Sequence, residues 1–375
     1  MPGPGIWKPL ELVKVTADYL ASKQVPNPRL DAELLLLGAM GLKQRVDLYA
    51  GFEREISGKE LAAYRELIKR RAAREPVSRI LKRRDFMGIG FRVTPDVLSP
   101  RPETELLVEA ALEALRTESP GGCAGSGENR SGLETGGEIA PDELNRLMDE
   151  YAEDSAGDEL SEPEPPRPAP DSSPRPPPAA GKRMEAGGGG RGRKVITDAV
   201  RILDLGTGSG CIAVALAVNL PGARIVAIDS SAKALAVAER NAAGAGVADR
   251  LDFRRGDWLE GCREGERFAL ILCNPPYLVE GDLSIWPEVS LFDPPAALYA
   301  GRDGLDCFRR IIPGSPGRLE PGGRIIFEVG AGQAPKVREL LAAAGYAGTS
   351  VVRDYDGTER VVAGTKPGGR DVPGK

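Results

Sequence analysis

The sequence contains no histidine among its 375 residues. This absence excludes mechanisms in which an imidazole activates a serine or a cysteine, and it excludes metal sites built on imidazole nitrogens. Any catalysis must therefore use backbone groups, amides, carboxylates or a bound cofactor. The five cysteines are scattered and lack C-x-x-C spacing. They indicate reduced thiols rather than a disulfide framework or a zinc site.

Long apolar runs are also missing. No segment approaches the ~20 consecutive apolar residues of a membrane-spanning helix, although apolar residues make up 41% of the chain, which is enough for a core. The first residues, MPGPGIWKPLELVK, do not show a basic start followed by an apolar stretch. We therefore expect no secretory signal, no membrane partner and a cytoplasmic location.

The net charge of −5 is distributed unevenly along the chain. Residues 117–193 carry 16 acidic and 8 basic side chains, whereas the rest of the chain carries 39 acidic and 42 basic ones. The folded parts are thus expected to be near neutral, without the basic stripe that is typical of proteins that bind duplex DNA. We expect no direct nucleic-acid partner.

The first part of the chain, residues 1–75, is predicted to be a small helical domain. Apolar residues recur at helical spacing over 9–22 and over 58–74. Between these two helices, a further helix is predicted from Pro28, which suits a first turn, to Gly41, which suits a helix end.

Residues 76–100 are predicted to form a β-hairpin linker. Pro76 interrupts the preceding helix, and Phe86 and Phe91 flank a turn that contains glycine. A helix is predicted to follow at 102–116.

The composition of residues 117–193 sets them apart. This segment holds 11 prolines, 14 glycines and the acidic excess. Such a composition buries too little apolar surface to offset the entropy that is lost on ordering. We predict a disordered insertion that serves as a solvated spacer or, alternatively, docks a partner, with room for one short helix at about 141–152. Residues 367–375 are predicted to form a flexible tail.

Strands and helices alternate from residue 194 to 366, and together with 101–116 they form the remaining predicted domain. Helices of this length between strands indicate an α/β fold with a parallel, doubly wound sheet. The last two strands are joined by Asp356-Gly357, which indicates an antiparallel hairpin at the edge. The seven predicted strands are VRILDL, ARIVAID, RLDFRRGDW, FALILC, GGRIIFEVG, GTSVVRDY and ERVVAGT.

The segment DLGTGSG at 204–210 lies between a predicted strand and a predicted helix. Its three glycines let the backbone turn sharply and approach a ligand at the start of the helix. Asp229 ends the next strand, where its carboxylate can accept hydrogen bonds from both hydroxyls of a ribose. The sixth position counted from Gly206 is Cys211, not the third glycine of the dinucleotide fingerprint. The spacing therefore favours S-adenosyl-L-methionine over NAD or a purely structural loop.

Asp257 and Trp258 follow the third predicted strand, where the adenine of such a cofactor would lie. There the carboxylate can accept from the adenine amino group, and the indole can cover one face of the ring. The alternative is a turn aspartate beside a core tryptophan.

The motif NPPY at 274–277 follows the buried strand FALILC, at the end of the strand where open α/β folds bind their ligands. Two consecutive prolines fix φ and remove two N–H donors. The loop therefore presents rigid acceptors, namely the side-chain oxygen of Asn274 and the carbonyl of Pro275.

Two such acceptors suit a planar NH2 group, whose nitrogen is a poor nucleophile because its lone pair is delocalised. They can hold its two hydrogens, align the nitrogen with a sulfonium methyl and stabilise the positive charge that develops. Tyr277 can pack on the planar group. No strong base is needed before transfer, which agrees with the missing histidine.

NPPY and DLGTGSG occur together with RPETELLVE (101–109), FDPPAALYAGRDGLDCFRRI (292–311), FEVGAGQ (327–333) and DYDGTERVV (354–362). In this combination the chain resembles the peptide-chain release factor glutamine methyltransferases. DAELLL and LIKRRAAREPV are similar to that family's helical domain. The resemblance covers nearly the whole chain except 117–193, an insertion that is unusual for the family.

The resemblance implies a Rossmann-like class I methyltransferase sheet of seven strands, the last one antiparallel, preceded by a helical substrate-recognition domain and the β-hairpin linker. It implies N5-methylation of the glutamine in the Gly-Gly-Gln motif of class 1 release factors. Asn274, Pro275, Pro276 and Tyr277 would hold that glutamine. The roles of Arg101 and Glu103 stay open between catalysis, helix capping and a salt bridge. The expected cofactor-binding residues are Gly206, Thr207, Gly208, Ser209, Gly210, Asp229, Asp257, Trp258 and Asn274.

Other functions remain open from the residues alone, since NPPY suits any planar NH2. One alternative is a methyltransferase for adenine N6 or for a ribosomal-protein glutamine, although an adenine enzyme normally has a positive surface for base flipping. A second is a binding protein that keeps the cofactor loop without activity. A third is an NAD dehydrogenase, which the glycine spacing disfavours.

Overall fold

The computed structural model describes residues 7–117, 200–282 and 287–368. All of these residues belong to one structural unit. The insertion predicted at 117–193 lies outside the described residues beyond Thr117, and so does the tail from residue 369. No helix in the described ranges is long and apolar enough to cross a membrane.

The N-terminal part folds into five helices around its own core. They are α1 (Pro9–Ser22), α2 (Pro28–Met40), α3 (Arg45–Ala50), α4 (Gly58–Ala72) and α5 (Val77–Ile80). Leu20, Leu35 and Tyr64 are fully buried between them. As predicted, α2 begins at Pro28 and ends before Gly41, which has a φ of 66°. The helices α3 and α5 are absent from the sequence prediction, because six and four residues are too few to show a helical period.

The predicted hairpin is present and consists of β1 (Arg83–Phe86) and β2 (Ile89–Arg92). Met87 and Gly88 form its turn with φ values of 50° and 73°, a pair of positive angles that matches the right-handed twist of the strands. Phe86 and Phe91 are buried and meet edge to face, with ring centroids 6.0 Å apart. They anchor the hairpin to the core under the sheet.

The central sheet has seven strands in the order β5-β4-β3-β6-β7-β9-β8. The strands β3 to β7 are parallel, and β9 is antiparallel to both of its neighbours. The predicted seven-stranded sheet with an antiparallel last strand is thus confirmed. The strands are β3 (Arg201–Leu205), β4 (Arg224–Asp229), β5 (Leu251–Arg255), β6 (Phe268–Cys273), β7 (Leu319–Glu328), β8 (Ala347–Arg353) and β9 (Glu359–Thr365).

Helices cover both faces of this sheet. Neighbouring residues of each strand point to opposite sides, so each strand contributes apolar side chains to two cores. Ile202 and Ile225 belong to the core on one face, and Leu203 and Val226 belong to the core on the other. The helices of this part are α6 (Glu103–Thr117), α7 (Cys211–Asn219), α8 (Ala232–Gly244), α9 (Pro287–Phe292), α10 (Asp306–Ile311) and α11 (Ala334–Ala343).

The order of the strands creates one crevice at the carboxyl edge of the sheet. The chain runs outward from β3 to β5 and then returns to build β6 and β7 on the other side of β3. The crevice therefore lies between β3 and β6, whose last residues, Leu205 and Cys273, are paired in register. Ligands of open α/β sheets bind at such a reversal.

Candidate active site

The loop at 206–210 leaves β3 and enters α7 at this crevice. Gly206, Gly208 and Gly210 all have positive φ angles, of 71°, 54° and 79°, a conformation that favours glycine. The backbone N–H groups of Gly206 and Thr207 donate to the carbonyl of Ile228, at 2.9 and 3.0 Å. The loop is thereby tied to the neighbouring strand.

The three glycines differ in what a side chain would meet. A Cβ on Gly210 would lie 2.9 Å from the Cβ of Ala238, and one on Gly206 would lie 3.1 Å from the indole of Trp258. A Cβ on Gly208 would meet only a carbonyl oxygen, 3.9 Å away. Gly206 and Gly210 therefore pack closely against neighbouring side chains, whereas Gly208 borders open space.

Two carboxylates lie beside this loop. Asp229 accepts hydrogen bonds from the backbone N–H groups of Gly208 at 2.9 Å and Ser231 at 2.8 Å. Asp204 is fully buried and accepts from the Thr207 hydroxyl through Oδ2 at 2.6 Å. Burial raises the pKa of Asp204 to about 7, and its Oδ1 has no hydrogen-bond partner among the described residues.

Ser209 uses its backbone to connect the loop to a neighbouring helix. Its carbonyl accepts from the side-chain amide of Asn241 at 2.8 Å. The same Asn241 side chain exchanges hydrogen bonds with the backbone of Arg92 in the hairpin. The hairpin and the loop are therefore held by one buried amide.

Trp258, which lies shortly after the end of β5, has an uncommon backbone conformation. Its φ is +51°, which is rare for a bulky residue and points to a constrained site. The indole packs against the loop at Gly206 and against the core. The neighbouring Asp257 is exposed and paired with Arg310. Nothing in the sequence indicates either the positive φ or this ion pair.

The NPPY segment begins directly after β6, and a hydrogen bond from Gln333 holds its backbone in place. Pro275 is buried, whereas Asn274, Pro276 and Tyr277 are partly exposed. The side chain of Gln333 donates to the carbonyl of Tyr277 at 2.9 Å. The segment lies at the carboxyl end of β6, where the sequence places it, and the pairing of β6 with β3 puts it next to the glycine loop.

A hydrogen-bonded network that the sequence does not predict lies behind NPPY. Asn274 Nδ2 donates to Thr104 Oγ1 at 3.0 Å, and Thr104 donates to Glu328 Oε2 at 2.6 Å. The Tyr277 hydroxyl donates to Glu328 Oε1 at 3.2 Å. Glu328 is the last residue of β7 and follows its apolar segment IIF. A charged residue at the carboxyl end of a buried strand is the signal that could have identified it.

A pocket of about 540 Å³ opens beside NPPY. Asn274, Pro275 and Tyr277 form one wall, and α6 and β9 contribute charged side chains. Those charged residues are Glu103, Arg360 and Arg101, which lies two residues before α6 begins. The pocket combines a planar, partly apolar wall with a polar rim.

Comparison with known proteins gives matches to the N-terminal helical part and to the part that contains the sheet. The family model "PrmC N-terminal domain" matches residues 11–81, and "Methyltransferase small domain" matches residues 194–289. The release factor glutamine methyltransferase of Geobacter sulfurreducens is 36% identical over 96% of this chain and 98% of its own length. That of Chlorobaculum tepidum is 35% identical over the same shares of the two chains. The chain belongs to the release factor glutamine methyltransferase family.

Family membership confirms the resemblance that the motifs indicate. Among solved structures, a methyltransferase from Pyrococcus furiosus aligns with a TM-score of 0.35 and 16% identity, over 45% of this chain and 76% of that chain. In this chain, ion pairs near the pocket join segments that lie far apart in the sequence.

One of these ion pairs involves Arg101, whose role the sequence leaves open. Arg101 pairs with Asp293, which follows α9. Asp293 also accepts from Arg79 of α5 at 2.6 Å, and both of these side chains are almost fully buried. A salt bridge is therefore the role that the structure gives to Arg101. Glu103 lies in the first turn of α6 and lines the pocket.

Removal of Asp293 is expected to destabilise the protein strongly. Asp293→Ala leaves the buried Arg79 guanidinium without its counter-charge, which typically costs about 3–5 kcal/mol. The free energy of unfolding from urea titrations measures the loss. The matched control is Asp303→Ala, because Asp303 pairs with Arg309 in an exposed position. Equal effects of the two substitutions would contradict the prediction.

Proposed function

We propose that this chain transfers the methyl group of S-adenosyl-L-methionine to the amide nitrogen, N5, of the glutamine in the Gly-Gly-Gln motif of class 1 peptide-chain release factors. The observation that carries the proposal is the pairing of Leu205 with Cys273. It puts the start of the glycine loop beside the start of NPPY, although the two starts are 68 positions apart in the chain. A methyl donor bound at the glycine loop and a planar amide bound at NPPY would therefore be neighbours.

The residues around the crevice support the binding of S-adenosyl-L-methionine. Gly208 borders open space, so the methionine part can approach the backbone. Asp229 lies at the end of β4, where it can receive ribose hydroxyls, and the unpaired Oδ1 of Asp204 is a buried acceptor that suits a cationic ligand. Trp258 offers a ring face for adenine. When bound, this cofactor supplies an electrophilic methyl group on a sulfonium.

NPPY suits the target amide because it presents acceptors, while its two prolines have no backbone donors. The Asn274 side-chain oxygen and the Pro275 carbonyl can each take one hydrogen of an NH2 group. The prolines at 275 and 276 have no N–H, and the Gln333 contact keeps the Tyr277 carbonyl in place. The loop can therefore orient a nitrogen that is a poor nucleophile.

The protonation states of the site agree with transfer to a neutral amide. Burial and the nearby Glu328 raise the pKa of Tyr277 above its usual value, so its phenol stays neutral and can pack on the substrate. Methyl transfer to a neutral amide needs no base beforehand, and the methylated nitrogen can release its extra proton to water afterwards.

Incubation with purified substrates is the test of this function. The protein is mixed with S-adenosyl-L-methionine and a class 1 release factor, and the Gly-Gly-Gln peptide is analysed by mass spectrometry. We expect the mass of one methyl group on the glutamine and none on a release factor that carries Gln→Glu in this motif. Parallel reactions with ribosomal proteins and with DNA examine the alternatives. Methylation of these and not of the release factor would overturn the proposal.

A further inference from the structure

The network of Asn274, Thr104, Glu328 and Tyr277 fixes the direction of each of its hydrogen bonds. Glu328 is 1% exposed and Thr104 is 2% exposed, so water does not supply alternative partners. An ionised carboxylate only accepts, and therefore both Thr104 and Tyr277 must donate to it. These two bonds have donor–acceptor distances of 2.6 and 3.2 Å.

The direction of the Thr104 bond determines how the Asn274 amide is oriented. A hydroxyl has one hydrogen, and in Thr104 this hydrogen is committed to Glu328. The Thr104 oxygen can only accept from Asn274, so the Asn274 nitrogen must face it, at 3.0 Å. The oxygen of the carboxamide is left for the other side. The two ends of an asparagine amide are otherwise nearly equivalent in shape.

We propose that Thr104 and Glu328 are positioning residues, which lock the carboxamide of Asn274 with its oxygen available to the hydrogens of the target amide. This inference rests on the proposed function, and it explains why Asn274 presents its side-chain oxygen to the substrate. With the amide rotated by half a turn, Asn274 would present N–H groups to a substrate NH2 and would repel it. The buried carboxylate thus acts through Thr104 on the reacting group.

The network also makes the orientation sensitive to pH. Burial raises the pKa of Glu328 to about 7. Once protonated, Glu328 can donate to Thr104, which frees the Thr104 hydrogen for the oxygen of Asn274 and favours the unproductive rotation. Activity is therefore expected to fall as the pH decreases through about 7. The titratable and charged groups that face Glu328 are Glu103, Arg360, Tyr277, Cys211 and Cys273.

The first test compares Thr104→Val with Thr104→Ser. Valine keeps the shape and removes the hydroxyl, whereas serine retains it. We expect Thr104→Val to lower kcat for release factor methylation about 10- to 100-fold, the effect of a misplaced reacting group, with KM for S-adenosyl-L-methionine nearly unchanged. Thr104→Ser should restore most of kcat. Equal activity of the two variants would overturn the inference, while absence of turnover in the unsubstituted protein would instead refute the proposed function.

The second test uses Glu328→Gln and the pH profile of kcat. Glutamine cannot ionise, so the decline of kcat below about pH 7 should disappear in this variant, at a lower plateau. An unchanged profile would contradict the inference. This measurement also decides the matter if Thr104→Val does not fold.

A third measurement needs no release factor. The Asn274 side-chain amide is observed by NMR in protein with isotope-labelled asparagine, and its signals are assigned through Asn274→Ala. We expect the amide protons to be protected from solvent exchange in the unsubstituted protein and in Thr104→Ser, and to lose protection in Thr104→Val. Unaltered protection in Thr104→Val would show that Thr104 does not hold this amide.

Discussion

Asn274→Ala is expected to lower kcat for release factor methylation by about 10²–10³, which is the usual effect of removing one preorganised group that stabilises developing charge. The substrate amide would keep the Pro275 carbonyl and lose the side-chain acceptor. The affinity for S-adenosyl-L-methionine should fall much less, because the glycine loop and Asp229 are untouched. Mass spectrometry of the Gly-Gly-Gln peptide gives the rate, and calorimetry gives the cofactor Kd.

Asn274→Asp tests the same position with an acceptor retained. The introduced carboxylate has no N–H for Thr104, whose hydroxyl is already bound to Glu328, so an oxygen would face an oxygen. We expect weak residual activity, with any product still methylated at N5. The matched control is Asn219→Ala, an exposed asparagine at the end of α7, which should leave kcat unchanged. Full turnover in both Asn274 variants would remove this residue from the mechanism.

Much of the site can be predicted from the sequence because its parts are local. The glycine loop, Asp229 and NPPY each follow an apolar strand within a few residues, and the alternation of strands and helices places all strand ends at one edge. Whether two of these segments become neighbours depends on the strand order. The alternating pattern alone does not determine that β3 and β6 are adjacent.

The parts that escape prediction are those that depend on long-range register. Thr104 and Glu328 are 224 residues apart, and nothing local marks them as partners. Their contact exists because α6 packs against β7 at the level where that strand ends. The same is true of Asp293, which collects Arg79 and Arg101 from segments about 200 residues earlier. Charged residues that look like solvent-exposed ones in the sequence become buried in this way.

The conformation of Trp258 is a further example of a feature that only the folded chain reveals. Its positive φ is unfavourable for a bulky side chain, and the sequence there reads as an ordinary turn. The indole nevertheless contacts Gly206, where a Cβ would lie 3.1 Å from the ring. Glycine at 206 is therefore favoured by the close contact with a tryptophan 52 residues away as well as by its own φ.

Gly208 is the glycine of the loop whose substitution should act on the cofactor rather than on the fold. A Cβ there has open space, with one carbonyl oxygen 3.9 Å away, whereas a Cβ on Gly210 would collide with Ala238 of α8. The open space lies at the crevice, where in the proposed function the methionine part of S-adenosyl-L-methionine would approach the backbone. A valine side chain at 208 would occupy that volume.

Gly208→Val is therefore expected to weaken S-adenosyl-L-methionine binding by at least about 100-fold, because the overlap of the side chain with the ligand costs about 3 kcal/mol or more. Valine with a positive φ is also strained, so a control must carry the same strain. Gly246→Val provides it, since Gly246 has a φ of 70° and nothing within 4 Å of a Cβ. Both variants should lose similar thermal stability, and calorimetry should show lost binding only for Gly208→Val. Unchanged affinity in that variant would mean that the loop is structural.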